Sequence, residues 1–173
     1  EGIIVTSLWP DDPAPEGTPR VGPLAQEGDP EEAVEPYDVL LNPGSHGDHF
    51  GVLRERLEAK GYDVRTVGDD DWETKPTMTP YTAAADVVVC TGFSSIADTV
   101  VAGTPCVIFP FLPFQQALAE RAEAKHLSGI SMATTVDRVL DRVEEYVDSD
   151  VAPDYDNGAP AFVDTVLADE TPH

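Results

Sequence analysis

A chain of 173 residues, 41% of them hydrophobic and 8% aromatic, has enough apolar material for one ordinary core and little more. Its 33 acidic residues against 10 basic ones give a formal net charge of -23, which argues against nucleic acid or an anionic bilayer as a surface partner, because both repel it. The acids are spread over the whole chain, lysine occurs only at Lys60, Lys75 and Lys125, and the apolar segments stay intact; the pattern predicts a folded protein of a halophilic cytoplasm, where salt screens self-repulsion, rather than an acidic disordered chain.

The opening "GIIVTSLWP" predicts a short strand over Ile3 to Leu8, ended by Pro10. The stretch that follows, "DDPAPEGTPRVGPLAQEGDPEEAVEP", is too rich in proline, glycine and acid to continue a helix or a central strand. Residues 1–36 therefore divide into the terminal strand of a sheet elsewhere and a linker, and the abrupt start without methionine predicts a fragment or one half of something larger. Residues 37–170 form the domain proper. "YDVLLNPG" is a buried strand running into a turn, and "DHFGVLRERLEAKG" carries Phe50, Leu53 and Leu57 at helical spacing and stops at Gly61. "YDVRTVG" is the next strand; a polar loop, "DDDWETKPTMTP", then leads to a helical turn "YTAAA" and the strand "DVVVC". "SSIADTVVAG" predicts a helix with Ser94 as N-cap and Gly103 as its stop.

"PCVIFP" is the fourth strand of the domain, "FQQALAERAEAKH" a helix, "SGISMAT" a weak edge strand, and "TTVDRVLDRVEEYV" an amphipathic helix with Val136, Val139, Leu140 and Val143 on one face. "GAPAFVDTVLAD" closes the domain as a terminal helix. Strands and helices alternate, and the strands are apolar on both faces, which predicts a doubly wound, Rossmann-like α/β domain with a parallel sheet. Cys90 and Cys106 each sit within an apolar run and read as buried free thiols of a reducing compartment. No segment has the length of a membrane span, and no signal peptide is visible.

In such a sheet ligands lie beyond the carboxyl ends of the strands, beside helix N-termini. Two turns are suited to that place. The first, Asn42 to Asp48, offers Gly44 for close backbone approach, the Ser45 hydroxyl and the His46 imidazole; by spacing alone it reads equally well as an ordinary βα turn, and it lacks the lysine of a P-loop. The second, Thr91 to Ser95, brings Gly92, Ser94 and Ser95 to the start of a helix, with Asp98 one turn on. A carboxylate there can accept two hydrogen bonds from a ribose diol; alternatively it only interacts with the helix dipole.

Gly92, Ser95, Asp98, Gly103 and Pro105, then a strand, Pro110 and the pair Gln115-Gln116, together resemble the C-terminal, nucleotide-sugar-binding half of GT-B glycosyltransferases, most closely the MurG-type group and the UDP-glycosyltransferases. "PGSHGD" falls where that group has a Gly-Ser-x-Gly turn, and "PRVGP" resembles its interdomain segment. The resemblance implies that Gly44, Ser45, His46, Gly92, Ser94 and Ser95 line the diphosphate of a nucleotide-sugar donor, UDP-linked by its likeness, that Asp98 holds the ribose in place of the usual Glu, and that Gln115 and Gln116 face the sugar hydroxyls. The base then meets the loop near Val67 or Met78. It further implies an N-terminal acceptor-binding domain or subunit that carries the catalytic base, through which the chain reaches the inner face of a membrane, and no cofactor. Three departures stand out: Asp for Glu at position 98; a short loop after Pro110 without the usual acid, with Ala119-Glu120 where the group has Asn; and a strand compressed into the loop from Trp72 to Met78.

Other signals carry less. His46 and His49 with Asp48 between them form too small a set for a metal, and the run from Asp69 to Asp71 reads as a solvated loop. Ser94 and Ser95 do not lie in a G-x-S-x-G elbow. The rival readings are one half of a nucleotide-sugar epimerase, which shares the architecture, and a non-catalytic α/β interaction module.

Overall fold

The computed structural model describes residues 3–9, 12–28, 33–44, 49–70 and 72–169. Five strands, β3 (Tyr37–Asn42), β4 (Val64–Thr66), β5 (Ala85–Cys90), β6 (Cys106–Ile108) and β7 (Ile130–Met132), form one sheet in the order β4-β3-β5-β6-β7, parallel throughout. This is the doubly wound α/β arrangement that the alternation of apolar runs predicts. The strand order reverses between β3 and β5, which makes their carboxyl ends the switch point of the sheet.

Alternate residues feed the two faces. Leu40, Val88, Cys90, Cys106 and Ile108 pack under α3 (Phe93–Ala102) and α4 (Pro113–Ala124), meeting Ile96, Ala97, Val100, Ala119 and Ala122. Val39, Leu41, Val87, Val89 and Val107 pack under α1 (Gly51–Ala59) and α5 (Val136–Val147), meeting Leu53, Leu57, Val139, Leu140 and Val143. Both faces being covered explains why these strands read as continuous apolar runs. The helix stops behave as their sequences predict: Gly61 and Gly103 take left-handed backbone at φ +96° and +73°. At the start of α5 the Thr135 hydroxyl accepts from Arg138 N–H as its N-cap. One cap differs from expectation. α3 begins at Phe93 with Gly92 as N-cap and no side-chain cap, so Ser94 lies inside the first turn instead of capping it.

The remaining elements are α2 (Thr79–Ala83), α6 (Ala159–Asp169) and a separate two-stranded parallel pair, β1 (Val5–Thr6) with β2 (Arg20–Val21). The first strand is paired, and the Leu8 and Trp9 that follow it are 1% exposed within the same cluster as Ile96, Ala97 and Val100. Trp9 stands edge-on to Tyr155, their ring centroids 6.5 Å apart. Asp12 fastens the same segment to α4 through Arg121 at 2.5 Å, and Ser7 Oγ donates to the Asp12 carboxylate. The Pro- and Gly-rich stretch from Pro13 to Pro23 thus carries the two-residue strand β2 and buries Val21.

Cys90 and Cys106 are buried free thiols, as their apolar runs predict, with their sulfurs 3.5 Å apart across β5 and β6. The Cys106 thiol is held well above its ordinary value by the hydrogen bond to Cys90 and by burial. No helix among the described residues is long and apolar enough to cross a membrane.

Candidate ligand site at the carboxyl edge

Register fixes what meets at the carboxyl edge. Asn42 lies beside Cys90, and Cys90 beside Ile108, so the turns leaving β3, β5 and β6 emerge side by side. Thr91 joins the first two: its side chain is buried, and its Oγ1 donates to the Pro43 carbonyl at 3.4 Å. Gly44, at φ +59°, stands just beyond, and a Cβ there would approach Thr91 Oγ1 to 3.6 Å. Two glycine turns with different sequences therefore converge on the switch point, where a doubly wound sheet accepts its ligands. In the sequence Thr91 only opens the second turn; its tie between the two turns depends on Pro43, 48 residues away.

Gly44, Gly92, Ser94 and Ser95 are brought to this edge. Ser45 and His46 lie outside the described residues, as does the Asp48 of the weighed metal set; His49 is described, its ring stacked on Phe111 at 4.7 Å. Ser94 is exposed on the first turn of α3, and the Ser95 carbonyl is taken by Thr99 Oγ1 at 2.6 Å. Because no side chain caps α3, its first amides carry the positive end of the helix dipole toward the turn. Val67 and Met78 are half-buried against the core, and between them Trp72 stands edge-on to Tyr81, with ring centroids 5.4 Å apart.

The glutamine pair divides. Gln116 is exposed and donates to Glu120 at 2.9 Å. Gln115, expected to face sugar hydroxyls, is 4% exposed; its Oε1 accepts from Phe111 N–H at 2.9 Å and Leu112 N–H at 3.0 Å, so it caps its own helix. The correction has a physical cause. Pro113 opens α4, the preceding amides need acceptors, and the third helical residue supplies one. Around it the edge is apolar, with Phe93, Leu112 and Phe114 exposed by 45%, 36% and 65%.

Asp98 is partly buried on α3, with the Gln26 backbone N–H beside it. Burial pushes the Asp98 carboxyl up to about 6 from an ordinary 3.8, and the Gln26 N–H offsets only part of this. Between those two values the folded chain keeps a proton that the unfolded chain has released, so Asp98 contributes less to stability as pH rises through the window. Asp98→Asn removes the dependence. The stability of the variant relative to wild type, from urea melts, is expected to rise by about 1 kcal/mol from about pH 4 to about pH 7, a figure discounted for partial solvent exposure. A difference that stays flat with pH would rule this out.

No family model matches the chain, and no curated protein matches its sequence. Solved structures share the fold. SsfS6, a glycosyltransferase of Streptomyces sp. SF2575, matches with a TM-score of 0.60 at 17% identity over 85% of this chain and 45% of its own. The spinosyn forosaminyltransferase SpnP matches at 0.56 and 13% identity, over 95% of this chain and 55% of its own. The glycotransferase of kitacinnamycin matches at 0.54 and 20% identity, over 75% and 41%. The chain thus spans about half the length of these structures, and its fold is that of one α/β half of the GT-B architecture.

Proposed function

We propose that this chain is the donor-binding, C-terminal-type half of a glycosyltransferase, holding a UDP-linked sugar for transfer to an acceptor. The acceptor and the general base belong to an N-terminal domain or subunit, so the isolated chain binds without turnover. The observation that carries this reading is the meeting of the Gly44 and Gly92 turns at the switch point, joined by Thr91, with the uncapped start of α3 between them and Asp98 one turn along.

In this reading Gly44, Ser45, His46, Gly92, Ser94 and Ser95 receive the diphosphate through amides and hydroxyls, Asp98 receives the ribose, and Gln116 reaches toward the sugar. The nucleoside diphosphate is the leaving group, so donors aimed at its phosphates stabilise the charge that develops as the glycosidic bond breaks. The base lies by Val67, Trp72 and Met78. A net charge of -23 supports a salt-rich cytoplasm as the working medium, any contact with a membrane coming through the partner.

Calorimetric titration in molar KCl with UDP, UDP-GlcNAc, GDP and TDP tests the proposal. One nucleotide is expected to bind saturably, and Asp98→Ala to weaken it about tenfold or more, the worth of a hydrogen bond to a charged group. Absence of binding by all four, with an N-terminal partner restored, would sink the reading.

A further inference from the structure

The two turns of the candidate site leave neighbouring strands, yet little holds one to the other. Register sets Asn42 beside Cys90, and past that pair both turns leave the sheet. Among the described residues a single hydrogen bond then crosses between them, from Thr91 Oγ1 to the Pro43 carbonyl at 3.4 Å. Gly44, which follows, has φ +59°, left-handed backbone that glycine enters and leaves at little cost. Pro43 has no N–H with which to fix the turn. The Thr91 hydroxyl supplies what both lack. It holds the carbonyl before Gly44 and lies 3.6 Å from where a Cβ on Gly44 would stand, so it selects one of the conformations open to that glycine.

Thr91 is not itself placed to hold an anion. A hydroxyl has one proton to donate, the Pro43 carbonyl takes it, and a phosphate oxygen needs donors. The residue is also buried. Gly92 beside it is the reverse case. Its φ of -134° is extended backbone that any residue adopts, and a Cβ there would meet nothing within 4 Å, so neither backbone nor packing calls for glycine at this position. The open space lies at the start of α3, whose first amides have no side-chain cap. Glycine at 92 leaves room for a ligand, and threonine at 91 is buried next to it.

We propose that Thr91 is a positioning residue for the diphosphate: its hydroxyl fixes the Gly44 turn against the Gly92 turn, so that amides of both address the same phosphates. The inference rests on the donor-binding reading, with the phosphates between the two turns. Thr91 touches no part of the ligand. A Gly44 turn already held in one conformation loses little further backbone freedom when the nucleotide arrives, which is how a preorganised site binds more tightly than a loose one. The base and the ribose lie away from Gly44 in this reading and gain nothing from the tie.

The test is calorimetry on the full chain in molar KCl with UDP, GDP and TDP, each beside its nucleoside, for wild type, Thr91→Val, Thr91→Ser and Gly92→Ala, with melts to verify that each chain folds. Valine keeps the shape of threonine and removes only the hydroxyl; serine keeps the hydroxyl. Thr91→Val is expected to weaken the diphosphate that binds roughly threefold to tenfold, about the worth of one neutral hydrogen bond, and to leave its nucleoside within about twofold of wild type. Thr91→Ser should return the diphosphate to near its wild-type affinity. The Gly44 amide resonance, displaced in the free Thr91→Val chain, should return with it. Gly92→Ala marks direct contact and should lose more diphosphate affinity than Thr91→Val does. Wild-type diphosphate affinity or an unmoved Gly44 resonance in Thr91→Val, beside a loss in Gly92→Ala, would overturn this proposal and leave the donor reading standing. Equal weakening of nucleoside and diphosphate, or a Thr91→Ser chain as weak as Thr91→Val, would overturn it too. A wild type that binds no diphosphate with an N-terminal partner restored, or diphosphate binding that Gly92→Ala leaves untouched, would remove both.

Discussion

Replacing Trp9 by Ala is expected to destabilise the chain by about 3–5 kcal/mol, the usual cost of deleting a large buried aromatic side chain. Trp9 is 1% exposed, packs in the cluster of Ile96, Ala97 and Val100, and meets Tyr155 edge-on. The loss is a large share of the roughly 5–15 kcal/mol by which domains are usually stable, and it should lower the thermal midpoint by roughly 10 °C. The sensitive comparison is cooperativity. If segment 3–28 belongs to the domain, wild type and variant unfold in single transitions with the same denaturant slope. A variant that melts within about 2 °C of wild type would show instead that the segment is an appendage.

The second large effect separates two adjacent glutamines. Gln115→Ala leaves the amides of Phe111 and Leu112 without their acceptor and opens space in a buried position, at an expected cost of about 2–4 kcal/mol. Gln115→Glu keeps an acceptor for both amides and places a negative charge at the start of α4, so it should recover most of the loss. Gln116→Ala touches only the exposed bond to Glu120 and should stay within about 0.5 kcal/mol of wild type. Urea melts of the three variants, beside titration with the nucleotide-sugar that binds, tell the roles apart. Should Gln115→Ala fold normally and lose only sugar-dependent affinity, the cap assignment is wrong and the sugar-facing role expected from sequence returns.

What could be read in advance follows the range of the forces involved. The strands from Tyr37, Ala85 and Cys106 are covered on both faces, so burial writes itself into consecutive apolar residues; the helices write theirs at helical spacing, as Leu53 and Leu57 do. Left-handed stops at Gly61 and Gly103 are equally local. The fate of Trp9 was not legible, because the stretch after it lacks any period and its burial depends on contacts with residues about ninety and more positions away. The Gln115 cap was hidden for a different reason: a glutamine beside a helix start reads the same whether its amide turns inward or outward, and only the open amides before Pro113 decide. Asn157 falls in the same class. Asn157-Gly158 announces a turn, but nothing in it announces that its amide will serve Ala25, 132 residues away.

The pair of thiols in the sheet has a kinetic consequence. Cys90 and Cys106 sit on neighbouring strands without solvent contact, and the hydrogen bond to Cys90 together with burial keeps the Cys106 thiolate scarce in the folded chain. A thiol reagent can therefore reach them only through openings that part β5 from β6, so the rate of modification reads out the frequency of such openings and is blind to fraying at the edge strands. The chain carries its own clock for the rupture of its core.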